Sequence, residues 1–157
     1  MSAVSDTSPI CYLILIEAID LLPQIYGQVI IPTAVHTELS SSKAPGKVRD
    51  WMKEKPEWMT VQKVLATSDA ALSRLDIGEC EAILLAESLL ADVVLIDERA
   101  ARDVATGRGL SVVGLLGVLG VAADMGLIEF KTAVERLQET SMWLSPNLIQ
   151  KLLDQYS

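Results

Sequence analysis

Four acids stand where a folded chain can gather them: Asp6, Glu38, Glu79 and Asp97. Asp6 and Asp97 each directly follow a short apolar run, Glu38 falls between Val35 and Leu39 at helical spacing, and Glu79 follows Gly78 at the head of a long apolar stretch. Carboxylates held close together raise one another's pKa unless a cation compensates. An all-oxygen donor set suits Mg2+ or Mn2+ rather than zinc. Such an ion activates water and neutralises charge on a phosphodiester. The single histidine, His36, rules out a His-rich zinc cluster, and it removes Ser-His-Asp and Cys-His chemistry unless it serves there itself. Hydrolysis by this chain therefore has to rest on carboxylates.

The elements that would position these acids alternate between strand and helix. Ala3 to Ser5 reads as a first strand, and Thr7-Ser8-Pro9 caps a helix running through about Ala18. Ile19 to Tyr26 reads as a short second helix, Val29 to Ile31 as a strand ending at Pro32, and Thr33 as the cap of the helix carrying Glu38. Gly78 opens the helix ECEAILLAESLLA. After it come the strand Val93 to Ile96, a helix through about Gly107 and the strand Val112-Val113. The remainder is helical by period, with Gly126 as a C-cap and Ser145-Pro146 starting the last helix. The expected architecture is α/β: one domain over residues 1–157, with a central parallel sheet flanked by helices and a helical C-terminal extension. In such a sheet the ligand site lies at the carboxyl ends of the strands, where Asp6 and Asp97 fall.

Glu79 and Glu81 share a helix but lie roughly 200° apart around its axis, so only one can face a given site. Glu79 heads a core-facing stripe with Ile83, Ala86 and Leu90, whereas Glu81 shares its face with Leu85 and Ser88. A first-turn Glu also complements the helix dipole, worth about 0.3–1 kcal/mol, and that alternative stays open for both.

Of the 157 residues, 50% are hydrophobic, and the formal charge is −8. Disorder is excluded by that apolar fraction. The apolar stretch from Leu110 to Ala123 is too short for a membrane span and reads mostly as core, part of it open to self-association. The sequence MSAVSDTSP lacks the basic region of a secretory signal, so a cytoplasmic location is expected. Cys11 and Cys80, both in apolar helical settings, read as buried thiols. The charge opposes non-specific binding to nucleic acid, but it is unevenly spread. Lys43, Lys47, Arg49, Lys53, Lys55 and Lys63 outweigh Asp50, Glu54 and Glu57 between Lys43 and Lys63. Trp51 and Trp58 lie in the same segment, either as a stacking platform for single-stranded RNA or as an amphipathic excursion packed on the core.

The motifs VSDTSP, IPTAVHTEL, LDIGECEAILLA and VVLIDERAAR, in that order, resemble the PIN-domain family, in particular its VapC-like branch. The resemblance covers nearly the whole chain and includes the placing of Glu79 18 residues before Asp97. It implies that Asp6, Glu38, Glu79 and Asp97 are catalytic, metal-binding acids, with Thr7 or Ser8 assisting through a hydroxyl. Glu81 and Glu98 are spare acids, and Arg99 or Arg102 contacts phosphate or pairs with an acid such as Asp103. It further implies an Mg2+- or Mn2+-dependent endoribonuclease, commonly the toxin of a toxin–antitoxin pair, inhibited by a small partner protein and frequently a homodimer. Lys43, Lys47, Arg49 and Lys53 would hold the RNA. Two features depart from the family pattern: the third acid is Glu, and Leu95 stands where many members have Thr. They keep alive a reading as a weak or inactive scaffold that binds nucleic acid or a protein. A phosphatase using Asp6 as nucleophile is disfavoured, because no second Asp follows two positions on.

Overall fold

The computed structural model describes residues 2–65, 70–142 and 144–156. Trp143, inside the last helical stretch read from the sequence, lies outside them. Five strands, β1 (Ser2–Ser5), β2 (Gln28–Pro32), β3 (Met59–Gln62), β4 (Val93–Leu95) and β5 (Val112–Val113), form one sheet in the order β3-β2-β1-β4-β5. Every pairing is parallel. The sheet is covered on both faces, so apart from Ser5 the buried positions of its central strands are apolar. Successive side chains then serve opposite cores. Ala3, Val93 and Leu95 join the core under the first, second, seventh and eighth helices, while Val4, Val94 and Ile96 join the core under the fifth and sixth.

The helices are α1 (Thr7–Leu15), α2 (Leu21–Tyr26), α3 (Thr33–Ser40), α4 (Gly46–Lys53), α5 (Ile77–Leu89), α6 (Arg99–Gly107), α7 (Leu115–Asp124), α8 (Phe130–Gln138) and α9 (Pro146–Tyr156), with a 3-10 turn at Ala70–Leu72. Among the described residues no helix is long and apolar enough to cross a membrane. Gly126, at φ 75°, takes the left-handed position after α7, and Leu127 N–H returns to the carbonyl of Ala122, closing that helix as its sequence suggests. Ser145 Oγ accepts from Leu148 N–H at 3.1 Å and caps α9.

Several sequence expectations need correction. The segment from Lys43 to Lys63 holds not only the amphipathic helix α4 but an edge strand, β3, of which only Met59 is buried. Its tryptophans pack on the core with ring centroids 5.9 Å apart, as the excursion reading has it. Helix α1 stops at Leu15 rather than near Ala18, because Glu17 turns into the left-handed region at φ 61°. Helix α5 starts at Ile77, one residue before Gly78, on the N-cap Asp76. Leu90 does not extend the stripe of Glu79, Ile83 and Ala86: it is the left-handed C-cap and is 87% exposed. Cys11 and Cys80 are half-buried thiols, Cys80 Sγ lying 3.0 Å from the carbonyl of Leu72.

The order of the strands matters most for function. The chain leaves β1 outward to β2 and β3, then returns across β1 to β4 and β5, so its direction reverses between β1 and β4. That is the crevice where open parallel sheets bind ligands.

Candidate active site

Asp6 follows β1 directly and its amide donates to the carbonyl of Leu95 at 2.9 Å, continuing the ladder with β4 by one residue. The residue is 5% exposed. Burial pushes its carboxyl up to about 7, opposed by the neighbouring Thr7 amide and reinforced by the charges of Asp76, Glu79 and Glu38. Glu38, on α3, accepts from the Thr7 hydroxyl at 2.8 Å. Gly78 is what lets the two carboxylates meet α5: a methyl group there would lie 2.7 Å from Glu38 Oε1 and 3.1 Å from Asp6 Oδ1. Any larger residue there would force the Glu38 carboxylate to shift. The sequence expectations for Thr7 and Thr33 as helix caps are not met. Neither α1 nor α3 has a side-chain cap at its N-cap residue, and the Thr7 hydroxyl serves Glu38 instead.

Glu79 is 6% exposed and sits in a capping box with Asp76. Its Oε1 accepts from Asp76 N–H at 3.1 Å, and Asp76 Oδ1 accepts from Glu79 N–H at 2.8 Å. Burial raises the Glu79 carboxyl, the Asp76 amide lowers it, and Asp76, Glu98 and Glu38 raise it further. Asp76 is the acid that the sequence reading passed over. The Asp-x-x-Glu spacing at Asp76 and Glu79 was its available signal.

Glu81 has a different task. Its Oε1 accepts from Ala34 N–H at 3.0 Å, so α5 supplies the acceptor that the first turn of α3 lacks.

Asp97, after β4, turns toward α7. Its Oδ1 accepts from Leu115 N–H at 2.6 Å, at the first residue of that helix. Its Oδ2 is buried with no hydrogen-bond partner. Burial raises this carboxyl, while the Leu115 amide and the charge of Arg102 lower it. Arg102 also donates to the carbonyl of Ile96 at 3.4 Å, so it serves the β4 end and Asp97 rather than Asp103. Glu98 and Arg99 are exposed at the start of α6. Ser8 is half-buried on α1.

The crevice thus brings Asp6 and Glu38 together at Gly78, with Asp76 and Glu79 locked in a capping box on the same helix and Asp97 after β4 with one oxygen unsatisfied. Among the described residues no three Asp, Glu, His or Cys side chains stand in metal-binding geometry. Glu79 and Asp97 each spend one oxygen on a helix N-terminus. The donor chemistry nonetheless fits a hard divalent cation: all donors are oxygens, two carboxyls are raised by burial and mutual repulsion, and Asp97 Oδ2 lacks any partner.

The basic residues lie on α4 and the loop before it, and α4 packs against both α3 and α1. Lys47 pairs with Glu17 at 3.0 Å and Lys53 with Asp50 at 3.7 Å, Lys43 is exposed, and Arg49 is half-buried.

None of the curated proteins compared with the chain matches it. Among solved structures it is similar to a PilT N-terminus domain protein from the hyperthermophilic archaeon Sulfolobus solfataricus, with a TM-score of 0.53 at 16% identity over 92% of this chain and 100% of that one. At that identity the likeness speaks for the fold alone. The family model described as DUF3368, PIN domain, matches residues 2–157, and the chain belongs to that PIN-domain family.

Proposed function

We propose that the chain is a metal-dependent endoribonuclease, acting in the cytoplasm as the toxin of a toxin–antitoxin pair. The PIN domain is a nuclease fold that typically works with divalent metal ions. The observation that carries the reading is Asp6: a carboxyl 5% exposed, pushed up to about 7 and faced by Glu38, at the crevice where strand order reverses. A chain gains nothing in stability from burying acids this way, so the arrangement is explained by a ligand that repays it.

Asp6, Glu38, Glu79 and Asp97 would hold Mg2+ or Mn2+. The bound ion would lower the pKa of a water and offset charge on the phosphodiester. The chain's own residues do the rest. Thr7 fixes one oxygen of Glu38 by its hydroxyl, Gly78 keeps the approach open, and Arg102 sits beside Asp97 as a cation at the rim. A small antitoxin protein and a second copy of the chain are the expected partners.

The second reading, a scaffold that binds without cleaving, draws on the locked state of Glu79 and Asp97, each bonded to a helix N-terminus. Cleavage of a mixed single-stranded RNA pool by purified protein separates the two, with Asp6→Asn as the control against contaminating nuclease. Cleavage that needs Mg2+ or Mn2+ and vanishes in the variant is the expected result. Equal products from both proteins, or none with either metal, would overturn the nuclease reading.

A further inference from the structure

We propose that the cavity between α3 and α4 is a phosphate subsite that grips the backbone of a single-stranded RNA outside the acidic crevice. The proposal rests on the ribonuclease reading and adds to it a specific substrate contact. The cavity, about 590 Å³, is lined by His36 and Ser40 of α3, Ser42 of the connecting loop, and Arg49, Asp50 and Lys53 of α4. Arg49 Nε is buried, and no atom among the described residues accepts its hydrogen bond. A buried donor without an acceptor is costly, and a guanidinium can only donate. The cavity is lined by Arg49 with its unpaired Nε sealed beneath the surface, so the terminal nitrogens are the ones a ligand would meet, beside an ammonium, an imidazole and two hydroxyls. Its one acid, Asp50, lies 3.7 Å from Lys53 and is balanced by it. Such a set takes an anion with several acceptor oxygens, and Arg suits the planar two-oxygen face of a phosphate best.

Geometry joins this cavity to the acids. His36 and Glu38 lie on one helix but roughly 200° apart around its axis, so α3 carries the acidic crevice on one side and the donor-lined cavity on the other. The two are separated by about one helix diameter, roughly 10–12 Å, a short step along an extended strand. Charge agrees: the stretch from Lys43 to Lys63 is the basic part of a chain that is otherwise strongly acidic, so RNA is attracted here and repelled elsewhere.

His36 is the chain's only histidine, so its imidazole proton resonance needs no assignment. The experiment titrates untagged protein with a short oligouridylate at fixed pH in EDTA, following that resonance by NMR and affinity by fluorescence anisotropy at several salt concentrations. A saturable shift of the His36 signal is expected. Arg49→Gln is expected to abolish that shift, weaken binding about tenfold and reduce the salt slope by roughly 0.7, the share of one single-strand phosphate. A His36 signal that stays still while RNA binds would overturn the subsite. So would an Arg49→Gln variant with unchanged affinity and slope. Cleavage by the wild type with Mn2+ is scored separately. Cleavage with a silent His36 rejects the subsite and keeps the nuclease, a moving His36 without cleavage does the reverse, and failure of both rejects both. The wild-type titration needs no variant to fold.

Discussion

The burial of Asp6 makes a quantitative prediction about the protein without metal. Its carboxyl rises from the ordinary 3.8 to about 7 on folding, chiefly through burial. A group that holds its proton more tightly in the folded chain destabilises that chain once it ionises. The cost is absent below about pH 4, grows as pH rises, and is fully present above about 7. At about 1.4 kcal/mol for each tenfold change in acid constant, the full cost is a little over 4 kcal/mol. Local rearrangement around the charge reduces this, and half of it is a reasonable floor. Asp6→Asn removes the ionisation while keeping the size of the side chain. In EDTA at pH 8 the variant should exceed the wild type by about 2–4 kcal/mol, and by no more than about 1 kcal/mol at pH 4.5. For a chain of this length each kcal/mol moves the melting temperature by about 2–4 °C, so a difference of roughly 4 °C or more is expected at pH 8. Thermal and urea melts followed by circular dichroism measure it. Millimolar Mn2+ should then stabilise the wild type and leave the variant unmoved. A difference between the two proteins that does not change with pH, or a less stable variant at pH 8, would refute the reasoning, because it would mean Asp6 is not the strained group.

Three other changes test single contacts. Gly78→Ala ordinarily strengthens a helix by about 0.5–1 kcal/mol, but here its methyl would press on Glu38 Oε1 at 2.7 Å, so cleavage should fall sharply and melting should show no gain. Glu81→Ala leaves Ala34 N–H without its acceptor and should cost about 0.5–2 kcal/mol in urea melts, with activity falling only as far as α3, which carries Glu38, loosens. Asp97→Asn keeps an oxygen for Leu115 N–H, so the fold should hold while cleavage is lost, whereas exposed Glu98→Gln should retain most activity. The reverse ranking in a cleavage assay would make Glu98 the fourth acid.

What the sequence showed, it showed through pattern. Strands β1, β2, β4 and β5 carry short apolar runs, and the acids that follow β1 and β4 inherit their place from the parallel topology. Strand β3 was illegible because MTVQ buries only Met59, and the other positions owe their strand conformation to pairing with β2, which no local pattern records. The end of α1 was missed for a similar reason: Glu17 is held in a left-handed turn beside Lys47 of α4, a contact thirty residues away in sequence. Asp76 is legible in the sequence as half of a capping box, from its spacing to Glu79 alone. The role of Glu81 was not readable at all. It caps α3 from α5, and the two helices are brought together only by the crossover of the sheet.

That last contact bears on how an acid-rich crevice folds without a cation. In a parallel sheet every helix that follows a strand begins at the same edge, so the N-termini of α1, α3, α6 and α7 gather where the acids gather, and α5 opens beside them. Each N-terminus leaves amides unpaired and carries a partial positive charge. The acids use them: Glu79 binds the amide of Asp76, Glu81 that of Ala34, and Asp97 that of Leu115. Backbone donors thus stand in for part of the charge that a divalent ion would bring. Asp6 is the exception, with burial and three neighbouring acids outweighing the Thr7 amide, and it is the carboxyl driven furthest toward neutrality. An arriving cation meets Glu79 and Asp97 with one oxygen of each already held by an amide, while at Asp6 it displaces chiefly a proton. Metal affinity in this crevice should accordingly depend on pH mainly through Asp6, tightening as pH rises through about 7.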